Sequence, residues 1–123
     1  MRSLLGVFLL VAAVAVAQEG FPLDGTWRGE RQSAGETPAT VVMIMQWDGQ
    51  KVTGVINPGP KAIQIADAKL VPEGWRVTVA ATTASGENIA FEGTIAELGA
   101  YNRSISGTWT EGGRKYSVRM VRE

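Results

Sequence analysis

The stretch Leu23-Asp24-Gly25-Thr26-Trp27-Arg28-Gly29-Glu30 decides how the chain reads, and Ser104-Ile105-Ser106-Gly107-Thr108-Trp109-Thr110 echoes it near the other end. In both, Gly and Trp stand two residues apart. Side chains on an extended strand alternate between its faces, so the pair shares a face and polar residues take the other. The glycine leaves room and lets the strand coil, and the indole fills that room. Small β-barrels seat a tryptophan in their interior in this way.

Working outward, eight strand-like segments follow at barrel or sandwich spacing: residues 25–32, 40–47, 51–56, 62–70, 75–81, 87–95, 103–110 and 114–121. Beyond residue 18 no window of about eleven residues carries an apolar stripe at i, i+3, i+4. Residues 95–98 could make one helical turn, which Gly99 stops. The turns fix register. With Gly112-Gly113 as a two-residue turn, Trp109 pairs with Tyr116, Gly107 with Val118 and Ile105 with Met120, apolar opposite apolar. With Asp48-Gly49 as the turn, Met45 pairs with Val52, Met43 with Gly54 and Val41 with Ile56, leaving Val42, Ile44 and Val55 as an apolar stripe outside. A three-residue loop at Ala84-Ser85-Gly86 sets Val79 against Phe91 and Val77 against Gly93. The fourth segment fits neither parity alone: Ile63 and Ile65 belong to one, Ala66, Ala68 and Leu70 to the other. A bulge near Ala66 reconciles them.

The inward set is then Gly25, Trp27, Gly29, Val41, Met43, Met45, Val52, Gly54, Ile56, Trp75, Val77, Val79, Ile89, Phe91, Gly93, Ile95, Ile105, Gly107, Trp109, Tyr116, Val118 and Met120. Eight strands of this length close into an antiparallel up-and-down barrel, an all-β fold wide enough for its own side chains or for one small guest. Closure also removes the apolar edges such strands would expose.

Residues 1–17 read as a signal peptide. Arg2 supplies the positive start, residues 4–16 an apolar run, and Ala15-Val16-Ala17 a small-x-small cleavage site. The run is shorter than the ~20 residues of a membrane span; an uncleaved N-terminal anchor is the alternative. Cleavage leaves one domain, residues 18–123, exported to a periplasm or secreted, with no membrane span. The absence of cysteine favours a bacterial source, and on that view the sequon Asn102-Arg103-Ser104 is accidental.

Composition narrows the chemistry. The 123 residues hold 12 basic and 12 acidic side chains, so no field gathers nucleic acid or an anionic membrane. With neither Cys nor His present, thiolate zinc sites, Ser–His or Cys–His nucleophiles and histidine-ligated haem are excluded. Asp67 and Glu92 are the only acids read within strands that approach the interior, and neither has a partner. The expectation is a non-enzyme without metal or cofactor.

Around Gly25-Thr26-Trp27 the pattern resembles the calycin superfamily: lipocalins, fatty-acid-binding proteins and avidins. The resemblance implies an eight-stranded up-and-down barrel with Gly25 and Trp27 as its signature. It also implies an arginine from the last strand packed over that tryptophan as a cation–π contact, Arg122 in preference to Arg119. Residues 23–54 look like the start of an avidin. Gly29, however, stands where avidins place an Asn, and Val55 and Ile56 where they place a Tyr, so biotin binding is not implied. Two functions follow. In one, Met43, Met45, Trp75, Phe91, Trp109 and Tyr116 line a pocket for a small hydrophobic ligand. In the other they fill the barrel, and the outer surface binds a protein partner or acts as an inhibitor module. The expected state is a monomer or weak dimer.

Overall fold

The computed structural model describes residues 20–123, and the expected signal peptide lies outside the described residues. A 3-10 turn at Phe21–Leu23 leads into β1 (Gly25–Gln32), β2 (Ala39–Trp47), β3 (Val52–Ile56), β4 (Ile63–Val71), a second 3-10 turn at Glu73–Trp75, then β5 (Arg76–Thr82), β6 (Asn88–Ala96), β7 (Ser104–Glu111) and β8 (Arg114–Arg122). Every strand pairs antiparallel with its sequence neighbour, and β1 pairs with β8, so the barrel closes without an edge.

The turns carry the register as their chemistry requires. In the β7–β8 hairpin Trp109 faces Tyr116, Gly107 faces Val118 and Ile105 faces Met120, as expected from the glycine pair. The β5–β6 hairpin sets Val79 opposite Phe91 and Val77 opposite Gly93. Gly86 sits at φ 88° and its N–H reaches the Thr83 carbonyl at 2.9 Å, so the left-handed residue closes the loop.

The β2–β3 hairpin differs from the expected register by two residues: Met43 faces Ile56, Met45 faces Gly54 and Trp47 faces Val52. The turn centres on Gly49-Gln50, with Gly49 at φ 98°, instead of on Asp48-Gly49. Asp48 stays one step outside, where its carboxylate accepts the N–H groups of Gln50 (2.8 Å) and Lys51 (2.7 Å). A shift of two preserves which side chains face inward. Val42, Ile44 and Val55 accordingly lie outside, but half-buried, not as a bare stripe.

In β4 the register jumps between Ile65 and Asp67, so Ala66 is the bulge. Ile63 and Ile65 pack against the core before it, and Ala68 and Leu70 are buried after it. Asp67 is exposed, so no charge from β4 enters the barrel. The interior is one continuous cluster that includes Trp27, Met43, Met45, Phe91, Trp109 and Met120, each buried, and Leu23 from the leading turn. Burying each such side chain contributes about 1.5–3 kcal/mol, the main stabilisation open to a domain without disulfides. Where the wall is tightest, glycine is obligatory: a Cβ on Gly29 would run into the Arg119 carbonyl, and one on Gly107 into the backbone of Glu92 and Gly93.

Trp75 corrects the inward set. It closes the 3-10 turn before β5, at φ 51°, and is 43% exposed. Pro72-Glu73-Gly74 folds into a turn, with the Trp75 N–H on the Pro72 carbonyl at 3.1 Å, so β5 begins one residue later and the indole leaves the barrel.

Candidate functional site

Alternation brings five of the six expected lining residues together. Met43 and Met45 come from β2, Phe91 from β6, Trp109 from β7 and Tyr116 from β8. All five are at most 6% exposed. Phe91 and Trp109 are register partners whose rings lie 6.3 Å apart and tilted by 54°, within the range of favourable aromatic pairing. The sixth, Trp75, stands outside.

At the end of the barrel where β1 starts, the leading segment folds across the opening and is tied down. The Trp27 indole N–H donates to the Leu23 carbonyl at 2.8 Å. Arg103 donates to the carbonyls of Leu98 (3.0 Å) and Pro22 (3.2 Å). Arg122 donates to those of Tyr101 (3.0 Å) and Asp24 (3.3 Å), and the Trp47 N–H donates to the Asp24 carboxylate at 2.7 Å. Desolvation, and then the neighbouring Arg122 charge, pulls the Arg103 guanidinium below its ordinary value.

The signature residues meet here with one change of partner. Arg122 is the backbone partner of Trp27, and Gly25, at φ 132°, leaves the space its side chain crosses: a Cβ on Gly25 would lie 2.9 Å from the Arg122 Cδ. The arginine's cation–π contact is with Tyr101, 4.9 Å from the ring centroid, and not with Trp27. The Trp27 indole is turned toward Leu23, which leaves Tyr101, in the loop between β6 and β7, as the ring the guanidinium covers. Arg119 is exposed on the outer wall.

The opposite end holds an arrangement that the sequence reading missed. Arg31 lies over the Tyr116 ring at 4.5 Å and bridges Glu111 at 2.9 Å. The same Glu111 oxygen accepts the Trp109 indole N–H at 3.1 Å. With Arg31 26% and Glu111 16% exposed, the pair is a half-dry lid over the aromatic interior. The expectation that Asp67 and Glu92 were the only strand acids near the interior is therefore corrected by Glu111, because β7 runs one residue past Thr110. The signal was present: continuing the parity of Gly25, Trp27 and Gly29 gives Arg31, and continuing Gly107 and Trp109 gives Glu111.

Three clefts stand out on the surface. One of about 500 Å³ runs along the outside of β1, β8 and β7, where Arg28, Glu30, Gln32, Ser106, Ser117 and Arg119 line it. Another, of about 410 Å³, lies between the β2–β3 turn and β4, by Trp47, Lys51 and Leu70. The third, of about 780 Å³, lies between residues 60–66 and 82–85. Met43, Met45, Phe91, Trp109 and Tyr116 line none of them. Among the described residues, no group of three or more acids is placed to hold a metal ion, and no helix is long and apolar enough to cross a membrane.

Comparison with protein-family models, with curated proteins and with solved structures gives no match for this chain.

Proposed function

We propose that this chain is an exported, calycin-like barrel that works as a binding module through its outer surface, with its interior filled by its own side chains. The observation that carries the reading is the burial of Met43, Met45, Phe91, Trp109 and Tyr116 in one cluster that none of the three clefts reaches. Interiors packed in this way leave no room for a guest without strain. The wall groove along β1, β8 and β7 offers charged and hydroxyl side chains of both signs, a surface suited to a partner protein. On this reading the chain performs no chemistry of its own.

A second reading keeps the hydrophobic ligand. It rests on the Arg31–Glu111 pair, a polar latch over Tyr116 that a guest would have to open. Native mass spectrometry of the exported protein separates the two. A bare monomer mass that stays bare after incubation with a lipid mixture supports the filled barrel. A mass excess removed by organic extraction, and taken up faster when Arg31 is replaced by Ala, replaces it with the ligand reading.

A further inference from the structure

The large hydrophobic side chains exposed on the barrel are Phe21, Trp75 and Tyr101, at 58%, 43% and 69%. They come from three separate connections: the leading turn before β1, the β4–β5 turn and the β6–β7 loop. Because the strands alternate in direction, all three connections lie at the same end of the barrel. The other end is closed by residues 33–38, 57–62, 83–87 and 112–113, which carry no aromatic residue. Gly20, the first described residue, is also at the aromatic end, where it is buried against the Trp47 ring. In the sequence the apolar run at residues 4–16 ends four positions before Gly20.

We infer that this end is a bilayer-docking surface, with Phe21, Trp75 and Tyr101 as three points set into the headgroup region of a phospholipid membrane. Phe, Trp and Tyr rings placed singly around a rim do not form the continuous patch that a protein partner needs, but their amphipathic rings suit the membrane–water interface. The backbone beneath them is already satisfied by Arg103 and Arg122, so nothing has to unfold for contact. Asp24, Asp48, Glu73, Glu97 and Glu123 stand among Lys51, Arg76, Arg103 and Arg122 at this end, so the charges nearly cancel, attraction to anionic lipid adds little and the rings supply the affinity. A chain that retains residues 4–16 is held with this end toward the membrane, and a processed chain binds reversibly through the rings alone. The inference is independent of what the wall or the interior binds.

The test uses vesicles of phosphatidylethanolamine and phosphatidylglycerol with brominated acyl chains. Trp27 and Trp109 are buried and Trp47 is half-buried at this same end, so the full chain is used with Trp47→Phe, and a quenched emission component that disappears on adding Trp75→Phe is expected. Equal quenching in both proteins, or none, would overturn the proposal. Residues 18–123 contain all eight strands and the core cluster of the described residues, and their fold is verified by far-UV circular dichroism before use. This form should sediment with vesicles equally at about 0.1 M and about 1 M salt. Phe21→Ser with Trp75→Ser should cut the partition about tenfold while the melting curve holds. Failure to sediment, loss at high salt, or an unchanged partition in the double variant would each overturn it.

Discussion

The two ends of this barrel are made from the same eight strands yet solve the problem of an open mouth differently. Where β1 begins, the chain closes the opening with backbone: Leu23 is driven into the core, and Trp27, Arg103 and Arg122 hold the covering segments by their carbonyls. Where β1 ends, short polar turns leave the mouth to one ion pair, Arg31 with Glu111, laid over Tyr116 and Trp109. The first end is stabilised by the burial of Leu23 and Trp27 and by hydrogen bonds to backbone carbonyls, of which the Trp27–Leu23 bond is buried. The second relies on a partly exposed charge pair, for which solvent screening leaves a smaller net contribution. Apolar rings stand outward at the backbone-capped end and are absent at the other, so one fold presents two chemically distinct poles.

The largest effect expected from breaking this contrast is at the backbone cap. Trp27→Ala should cost about 3–5 kcal/mol, as core Trp truncations do, read as a fall in the denaturant midpoint. It also removes the donor to the Leu23 carbonyl. At the other end, Glu111→Ala should cost less, about 1–3 kcal/mol, because it strands the Trp109 N–H as well as breaking the bridge. Arg31→Ala, which leaves that N–H satisfied, should cost less than Glu111→Ala. If both ends respond equally, the distinction between backbone cap and ionic latch fails.

Smaller still is the turn at Asp48, whose carboxyl is held below its ordinary value by the N–H groups of Gln50 and then Lys51. A folded value below the unfolded one means the contribution is complete above about pH 4 and is lost as pH falls through the folded value. The melting temperatures of wild type and Asp48→Ala should therefore draw together as pH falls below about 4 and meet only once the folded carboxylate is protonated. Last comes Trp75→Ser, expected to leave stability within about 0.5 kcal/mol, because its ring is outside the core. A large loss there would mean that the ring is structural, not a contact surface.

Much of the fold was legible because alternation is local. Gly107, Trp109, Tyr116 and Val118 need only a two-residue turn to be paired correctly, and Gly86 needs only its left-handed preference. The Asp48 hairpin was legible in parity but not in register: Asp-Gly permits a turn centred on either side of Gly49, and the choice rests on which N–H groups the carboxylate reaches. Arg31 and Glu111 escaped notice because charged residues near strand ends are ordinarily solvated. Here each offsets the other's burial across 80 residues of sequence. Trp75 was misplaced because a large aromatic before a β run reads as its first inward residue, whereas Pro72 and Gly74 had already committed the backbone to a turn.

By itself the sequence determined the class of fold, the strand count and the inward face of nearly every strand. Those depend on a two-residue period and on turn residues, interactions between near neighbours that any extended chain expresses. Only the tertiary structure decided what meets at the two mouths: that Leu23 becomes a plug, that Arg122 covers Tyr101 instead of Trp27, and that Arg31 finds Glu111. Closure of β1 onto β8 brings Arg31 and Glu111 together across 80 residues of chain, and a contact that exists only after closure leaves no periodic trace in the residues that make it.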